Sequence, residues 1–193
     1  MPMSRRHALR RPCIGIDLHV VDGKYQGSRT HCLELFSRII GMTPECDFVA
    51  MVGNPQNLLS FSDNFALPNV TIVSLPERPS PIRLLFQLPQ IVWQRRIALL
   101  HTQYISPPVA LCATAVTVHD ILFESHPEYF ERSFVLRSRV LVPLSVRRSA
   151  AVFTVSDFSR RQICDTYSIP ATKVHTISNG VDPTRFYPGN VGV

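Results

Sequence analysis

The chain has 193 residues, enough for one full domain with a substantial core but short for two. Its 45% hydrophobic and 18% charged residues exclude an intrinsically disordered chain. A formal charge of +6 points to anionic partners without choosing among nucleic acid, lipid headgroups and phosphorylated sugars.

Part of that charge is local. Residues 1–12, MPMSRRHALRRP, form a basic leader carrying Arg5, Arg6, Arg10 and Arg11, expected to be flexible. The leader has no apolar h-region, so it does not read as a secretory signal. The first strand is expected over 13–19 (CIGIDLH), followed by a polar loop and a helix starting near Gly27 and Ser28. Leu33, Phe36 and Ile40 recur at helical spacing in it, and Gly41 is the expected stop. Strands follow at 47–53 (DFVAMVG), apolar enough to be buried on both faces, and at 69–75 (NVTIVSL).

Pro79 and Pro81 open a helical stretch, RLLFQLPQIVWQRR, which Pro89 should interrupt. Its apolar and basic residues, with Arg83, Arg95 and Arg96, could lie on an anionic membrane. A crossover helix packed on the sheet is the favoured reading, because the fold needs one there. Strands at 97–102 and 115–119 come next, the latter ending abruptly in Asp120. A helix should run from about 128 to 149, bent at Pro143, with Arg132, Arg137, Arg139, Arg147 and Arg148 on a solvated face. Few aromatics lie among these arginines to stack bases, so no nucleic-acid partner is expected. A sixth strand at 151–155 leads to Ser156, placed to cap a helix over 157–167, and a last short strand covers 174–178.

Strands alternating with crossover helices predict an α/β, Rossmann-like, doubly wound domain over 13–186, its sheet mostly parallel and covered by helices on both faces. Residues 187–193 read as the start of an interdomain linker. The five cysteines are scattered and without C-x-x-C spacing, which argues against a disulfide framework or zinc site and for buried thiols in a reducing compartment. No stretch approaches the ~18 apolar residues of a membrane span. The expectation is a cytoplasmic protein, at most peripheral to the inner membrane face.

Ligands of open parallel sheets bind beyond the carboxyl ends of the strands. Four polar constellations fall there: Gly27–Ser28, Gln103–Tyr104, His119–Asp120 and Asn179–Gly180. Glycine at a helix start allows close approach by a phosphate to free N–H groups, or serves only the turn. An apolar strand that stops at two ionisable groups favours function for His119 and Asp120. His101, within an apolar strand, reads as a satisfied core or rim histidine. His19 and His31 have no assigned role, and no pair of histidines has metal-ligand spacing.

Taken in order, IGIDLHVVDGKYQGSRTHCLELF, IALLHTQYISPP, VTVHDILFESHPEYF and VRRSAAVFTVSDFSRRQICDTYSIPATKVHTISNGVDPTRFYP resemble the amino-terminal domain of glycosyltransferase family 4 proteins. The last block, strand–TVSDFSRR–helix–Pro–strand–NGVD–RF, is the most specific. The resemblance implies one half of a GT-B fold. It implies transfer of a sugar, with retention of configuration, from a nucleotide-sugar donor to a saccharide or lipid-linked acceptor. It further implies His119 at the donor sugar, Asp120 orienting it, and Gly27 and Ser28 near the diphosphate. Gln103, Tyr104, Asn179 and Gly180 would line the cleft or serve the structure. No cofactor or metal is implied. The family's carboxyl-terminal domain supplies the diphosphate-binding cations and a pair of glutamates, which this sequence lacks, so a separately encoded carboxyl-terminal domain is an expected partner. The first loop departs from the family in having one glycine, in QGSR. The alternative is a non-catalytic Rossmann-like module that binds a saccharide or a partner.

Overall fold

The computed structural model describes residues 11–23 and 26–181. The basic leader up to residue 10 and the tail from 182, including the expected linker, lie outside the described residues. Seven strands form one sheet in the order β3-β2-β1-β4-β5-β6-β7. They are β1 (Cys13–Asp17), β2 (Asp47–Val52), β3 (Val70–Ser74), β4 (Leu99–Gln103), β5 (Ala113–Thr117), β6 (Ala151–Thr154) and β7 (Val174–Thr176). Every neighbouring pair is parallel. The chain winds outward from β1 to β3, then returns to build β4 to β7 on the other side. This reversal between β1 and β4 is the topological switch point at which doubly wound sheets open a crevice.

The period-two geometry of a strand sends alternate β2 residues to opposite faces. Phe48, Ala50 and Val52 enter a core under helix α1 (Gly27–Met42), with Leu33, Phe36 and Ile40. Val49 and Met51 enter a second core with Leu84, Leu88, Ile91 and Val92. The both-faces burial read from DFVAMVG is therefore present, and each large side chain such as Phe48, 1% exposed, contributes roughly 1.5–3 kcal/mol. A third core joins Val116, Val118 and Val152 to helices α6 (Arg132–Arg148) and α7 (Asp157–Tyr167) through Val142, Val146 and Ile163. Of the five cysteines only Cys32 is buried, its thiol pushed up to about 12 by burial and then by Asp17; the other four are half-buried.

Several boundaries differ from the expectation for local physical reasons. Gly41 does not stop α1. The helix runs to Met42, and a side chain at 41 would meet Asn64 Nδ2 at 2.9 Å, so the glycine admits Asn64, which donates to the Ser37 carbonyl at 2.9 Å. Pro89 does not interrupt its helix. After the short helix α2 (Gln56–Leu59) and β3, one unbroken helical stretch runs from α3 (Ser80–Ile82) through a π-helical segment (Arg83–Gln87) into α4 (Leu88–Arg95). Pro89 follows directly on the wider π turn, in which Leu88 N donates to Arg83 O. Helix α6 runs through the buried Pro143 as expected, but begins at Arg132 because Pro127–Tyr129 forms a separate turn. Strand β1 ends at Asp17, two residues early, and His19–Val21 makes one helical turn. Strand β5 ends at Thr117, so His119 lies two residues beyond it. Ser156 caps α7 as expected, its Oγ accepting from Ser159 N at 3.1 Å.

Candidate active site

The carboxyl ends of β4 and β5 bring the sequence-predicted residues together. Gln103 closes β4 rather than lying in the loop after it, and its side chain is 4% exposed. The His119 Nε2 lies 2.9 Å from Gln103 Oε1. With the carboxamide in this orientation its oxygen accepts, which assigns the proton to Nε2 and the lone pair to Nδ1. Burial, and then the neighbouring His31, lower the His119 pKa to about 4, so its ring is neutral near pH 7. It acts there as a hydrogen-bonding group and not as a cation. The buried Gln103 Nε2 has no hydrogen-bond partner among the described residues, an uncompensated donor beside the histidine.

Tyr104 turns the chain sharply out of β4. Its φ of 55° is in the left-handed region, which costs a non-glycine residue of order 1 kcal/mol or more, and Ile105 N donates to Gln103 O across it at 2.6 Å. The result sets the Tyr104 ring 5.8 Å from that of His119. Burial, and next Asp120, push the Tyr104 hydroxyl pKa well above its ordinary value. Asp120 Oδ1 accepts from Leu122 N at 3.0 Å and so anchors the start of the short helix α5 (Leu122–Ser125).

Helix α1 enters the same site through His31, which sequence reasoning left without a role. Its ring meets His119 edge-on at 4.8 Å, and its Nδ1 donates to Asn179 Oδ1 at 3.1 Å. Residues 31, 104, 119 and 179 thereby draw four chain segments to one edge. The signal in the sequence was position: His31 is one helical turn after Gly27, on the helix that starts at this edge. Gly27 itself has no positive φ, and a side chain there would meet nothing within 4 Å. The turn does not require the glycine. Gln26 gives α1 no side-chain cap, and the amides of Gly27 and Ser28 open the helix. Gly180 also has open space around it and makes no close approach.

His101 lies behind this edge. It is buried, with Nε2 2.8 Å from Thr117 Oγ1 and its ring against Phe36, and burial lowers its pKa to about 4. It is not fully satisfied, since its Nδ1 finds no partner among the described residues.

The end of β1 carries a second feature that the sequence reading missed. Asp17 is fully buried, pairs with the Arg83 guanidinium, and accepts from His19 Nδ1 at 3.1 Å. Burial pushes its carboxyl up, but the charge and hydrogen bonds of His19, together with Arg83, outweigh this and hold it at about 2. An aspartate closing an apolar strand was the available signal, because such a charge must find a partner. Nearby, the Asp22 carboxylate receives Gly53 N, Asn54 N and Asn57 Nδ2, tying the first loop to the end of β2.

A cavity of about 570 Å³ opens at the other edge, against Arg11, Cys13, Asp47, Asn69 and Arg95. It sits at the amino ends of the strands, roughly 15 Å from the His119 edge by strand length. Among the described residues, no group of three His, Cys, Asp or Glu could hold a metal ion, and no helix is long and apolar enough to cross a membrane.

A crystal structure of a glycosyltransferase from Rickettsia africae ESF-5 is similar over 94% of this chain and 46% of that one, with a TM-score of 0.57 and 13% identity. This likeness is one of fold, and the chain spans less than half the length of that structure. No significant match is found among curated proteins. The sequence profile of Glycosyltransferase Family 4 matches residues 25–185, from the start of α1 past β7. The seven-stranded parallel sheet is thus that of a domain of glycosyltransferase family 4, to which this chain belongs.

Proposed function

We propose that this chain is the amino-terminal, acceptor-side domain of a retaining glycosyltransferase of GT-B architecture. It moves a sugar from a nucleotide-sugar donor to a saccharide or lipid-linked acceptor. The observation that carries the proposal is the neutral His119, held through Nε2 by Gln103 at the switch-point edge with Nδ1 left as an acceptor. A sugar hydroxyl can donate to that nitrogen, and the fixed ring orients the sugar for transfer. Asp120, engaged with Leu122 N, orients the turn that carries His119.

Departure of a nucleoside diphosphate develops negative charge, which needs donors or cations. His119 is neutral and does not supply it. The uncapped amino end of the 16-residue helix α1, at Gly27 and Ser28, supplies part of it through its amides and dipole. We assign the remainder to cations of a carboxyl-terminal, donor-binding domain, in keeping with the 46% share of the solved glycosyltransferase that this chain spans.

The test is His119→Ala in an assembled two-domain enzyme, with kcat/KM measured for the cognate donor. The expected loss is about 10²-fold, or ~2.7 kcal/mol of transition-state stabilisation. Unchanged kcat/KM would remove the role given to His119. Calorimetry with sugar nucleotides provides a second check: tight donor binding by this chain alone would contradict the division of labour between two domains.

A further inference from the structure

The hydrogen bond between His119 Nε2 and Gln103 Oε1 fixes one nitrogen but not the plane of the ring, which can still swing about that bond. Two further rings meet it. Tyr104 lies tilted at 45° with centroids 5.8 Å apart, and His31 meets it edge-on, at 4.8 Å and 85°. Edge-to-face packing is a favoured arrangement of aromatic rings, and the closer contact, with His31, is the one that sets the plane.

His31 is itself held at both ends. Its backbone begins the second turn of α1, the helix that Cys32, Leu33, Phe36 and Ile40 anchor to the sheet. Its Nδ1 lies 3.1 Å from Asn179 Oδ1. Asn179 is two residues beyond Ile177, whose N donates to Thr154 O at 2.7 Å and prolongs the pairing of the last two strands. The position therefore makes two demands, a ring for His119 and a donor for Asn179, and histidine meets both. Phenylalanine would supply only the ring and glutamine only the donor.

Charge acts in the same direction. The titratable groups facing His119 are His31 from α1, Tyr104 and the deeper His101 from β4, and Asp120 from its own turn. Asp120 favours a protonated His119 ring, whereas burial and then His31 oppose it. A protonated ring would donate through Nδ1 and could no longer accept from a sugar hydroxyl there.

We infer, on the role already proposed for His119, that His31 is a positioning residue for sugar transfer: seated by Asn179, it fixes the plane of the His119 ring and preserves Nδ1 as an acceptor for the donor sugar.

The full chain, labelled with nitrogen-15, is followed by long-range proton–nitrogen correlation spectra of its histidine rings as pH is varied. A His119→Gln spectrum assigns the His119 signals among the seven histidines. In the unaltered chain His119 is expected as the neutral Nε2–H tautomer, titrating at about 4. His31→Ala should move that titration up toward the ordinary 6.5 and mix the two tautomers, with far-UV circular dichroism unchanged. His31→Phe should retain the single tautomer, and His31→Gln should not. Asn179→Ala, an exposed change, should act in the same direction as His31→Ala and by less. In an assembled two-domain enzyme, His31→Ala should lower kcat about tenfold, with KM little changed, and His31→Phe should recover most of the loss. Combined with His119→Ala it should add little, because the two residues act as a unit. A His119 tautomer and titration unchanged in both His31→Ala and Asn179→Ala would overturn the inference. So would a kcat loss that adds in full to that of His119→Ala. Kinetics indifferent to His119→Ala would instead remove the His119 role itself, and the spectra would still decide whether His31 seats the ring.

Discussion

The Asp17–Arg83 pair permits a prediction whose size follows from burial. Replacing Arg83 with methionine keeps an apolar stem against the second core and removes the guanidinium. Asp17, 0% exposed, then retains only His19 against its carboxylate. Breaking a buried pair by removing one partner costs about 3–5 kcal/mol, because the remaining charge stays out of water. The exposed Arg38–Glu34 pair, one helical turn apart in α1, is a control worth about 0.3–0.5 kcal/mol. In a domain of this size each kcal/mol moves Tm by about 2–4 °C, so Arg83→Met should lower it by roughly 6–20 °C and Arg38→Met by no more than ~2 °C. Thermal and urea unfolding at pH 7, followed by far-UV circular dichroism, measure the Tm shift and the free energy for both variants. The pH dependence gives an independent sign. The Asp17 carboxyl lies at about 2, below its ordinary 3.8, so the pair's contribution is complete above 3.8 and lost as pH falls toward 2. Without Arg83, burial carries more weight and the Asp17 pKa rises, so the loss should begin at higher pH in the variant. Asp17→Asn combined with Arg83→Met should recover part of the stability. If Arg83→Met costs no more than Arg38→Met, the assignment of this pair as a buried, mutually dependent charge cluster is wrong.

Other consequences are smaller or more local. The folded pKa of His101 is near 4 against an ordinary 6.5, so the unfolded state binds the extra proton first. Stability should therefore be full above pH 6.5 and fall by up to about 3 kcal/mol as pH drops to 4. A His101→Gln variant should show a shallower slope over that window, and equal slopes would dismiss the effect. Ser156→Ala removes the acceptor for Ser159 N and should cost about 1 kcal/mol in denaturant unfolding. Gly15→Val should cost about 1–3 kcal/mol by overpacking, since a side chain at 15 meets Ile97 Cδ1 at 2.7 Å; full retention of stability would show that Ile97 yields freely.

The sequence by itself determined the architecture and the edge on which the polar residues lie. Apolar runs such as DFVAMVG, alternating with amphipathic helices, are those of a parallel sheet covered on both faces, whereas the strand order was set by the tertiary structure. The Ser156 cap was legible because it depends on neighbours within one turn. Tertiary structure alone decided which polar groups meet. His31 and Asn179 are separated by 148 residues, and nothing in the spacing of either predicts their hydrogen bond or the ring contact of His31 with His119. The same holds for Arg83, which the pattern placed with Arg95 and Arg96 on a basic stretch. The π-helical stretch and the buried Asp17 instead turned it inward, 66 residues along the chain from its partner. Local rules report periodicity, caps and turns, because those interactions act over a few residues. The charge state of a histidine and the partner of a buried carboxylate depend on desolvation and distance, which exist only once the chain has closed on itself.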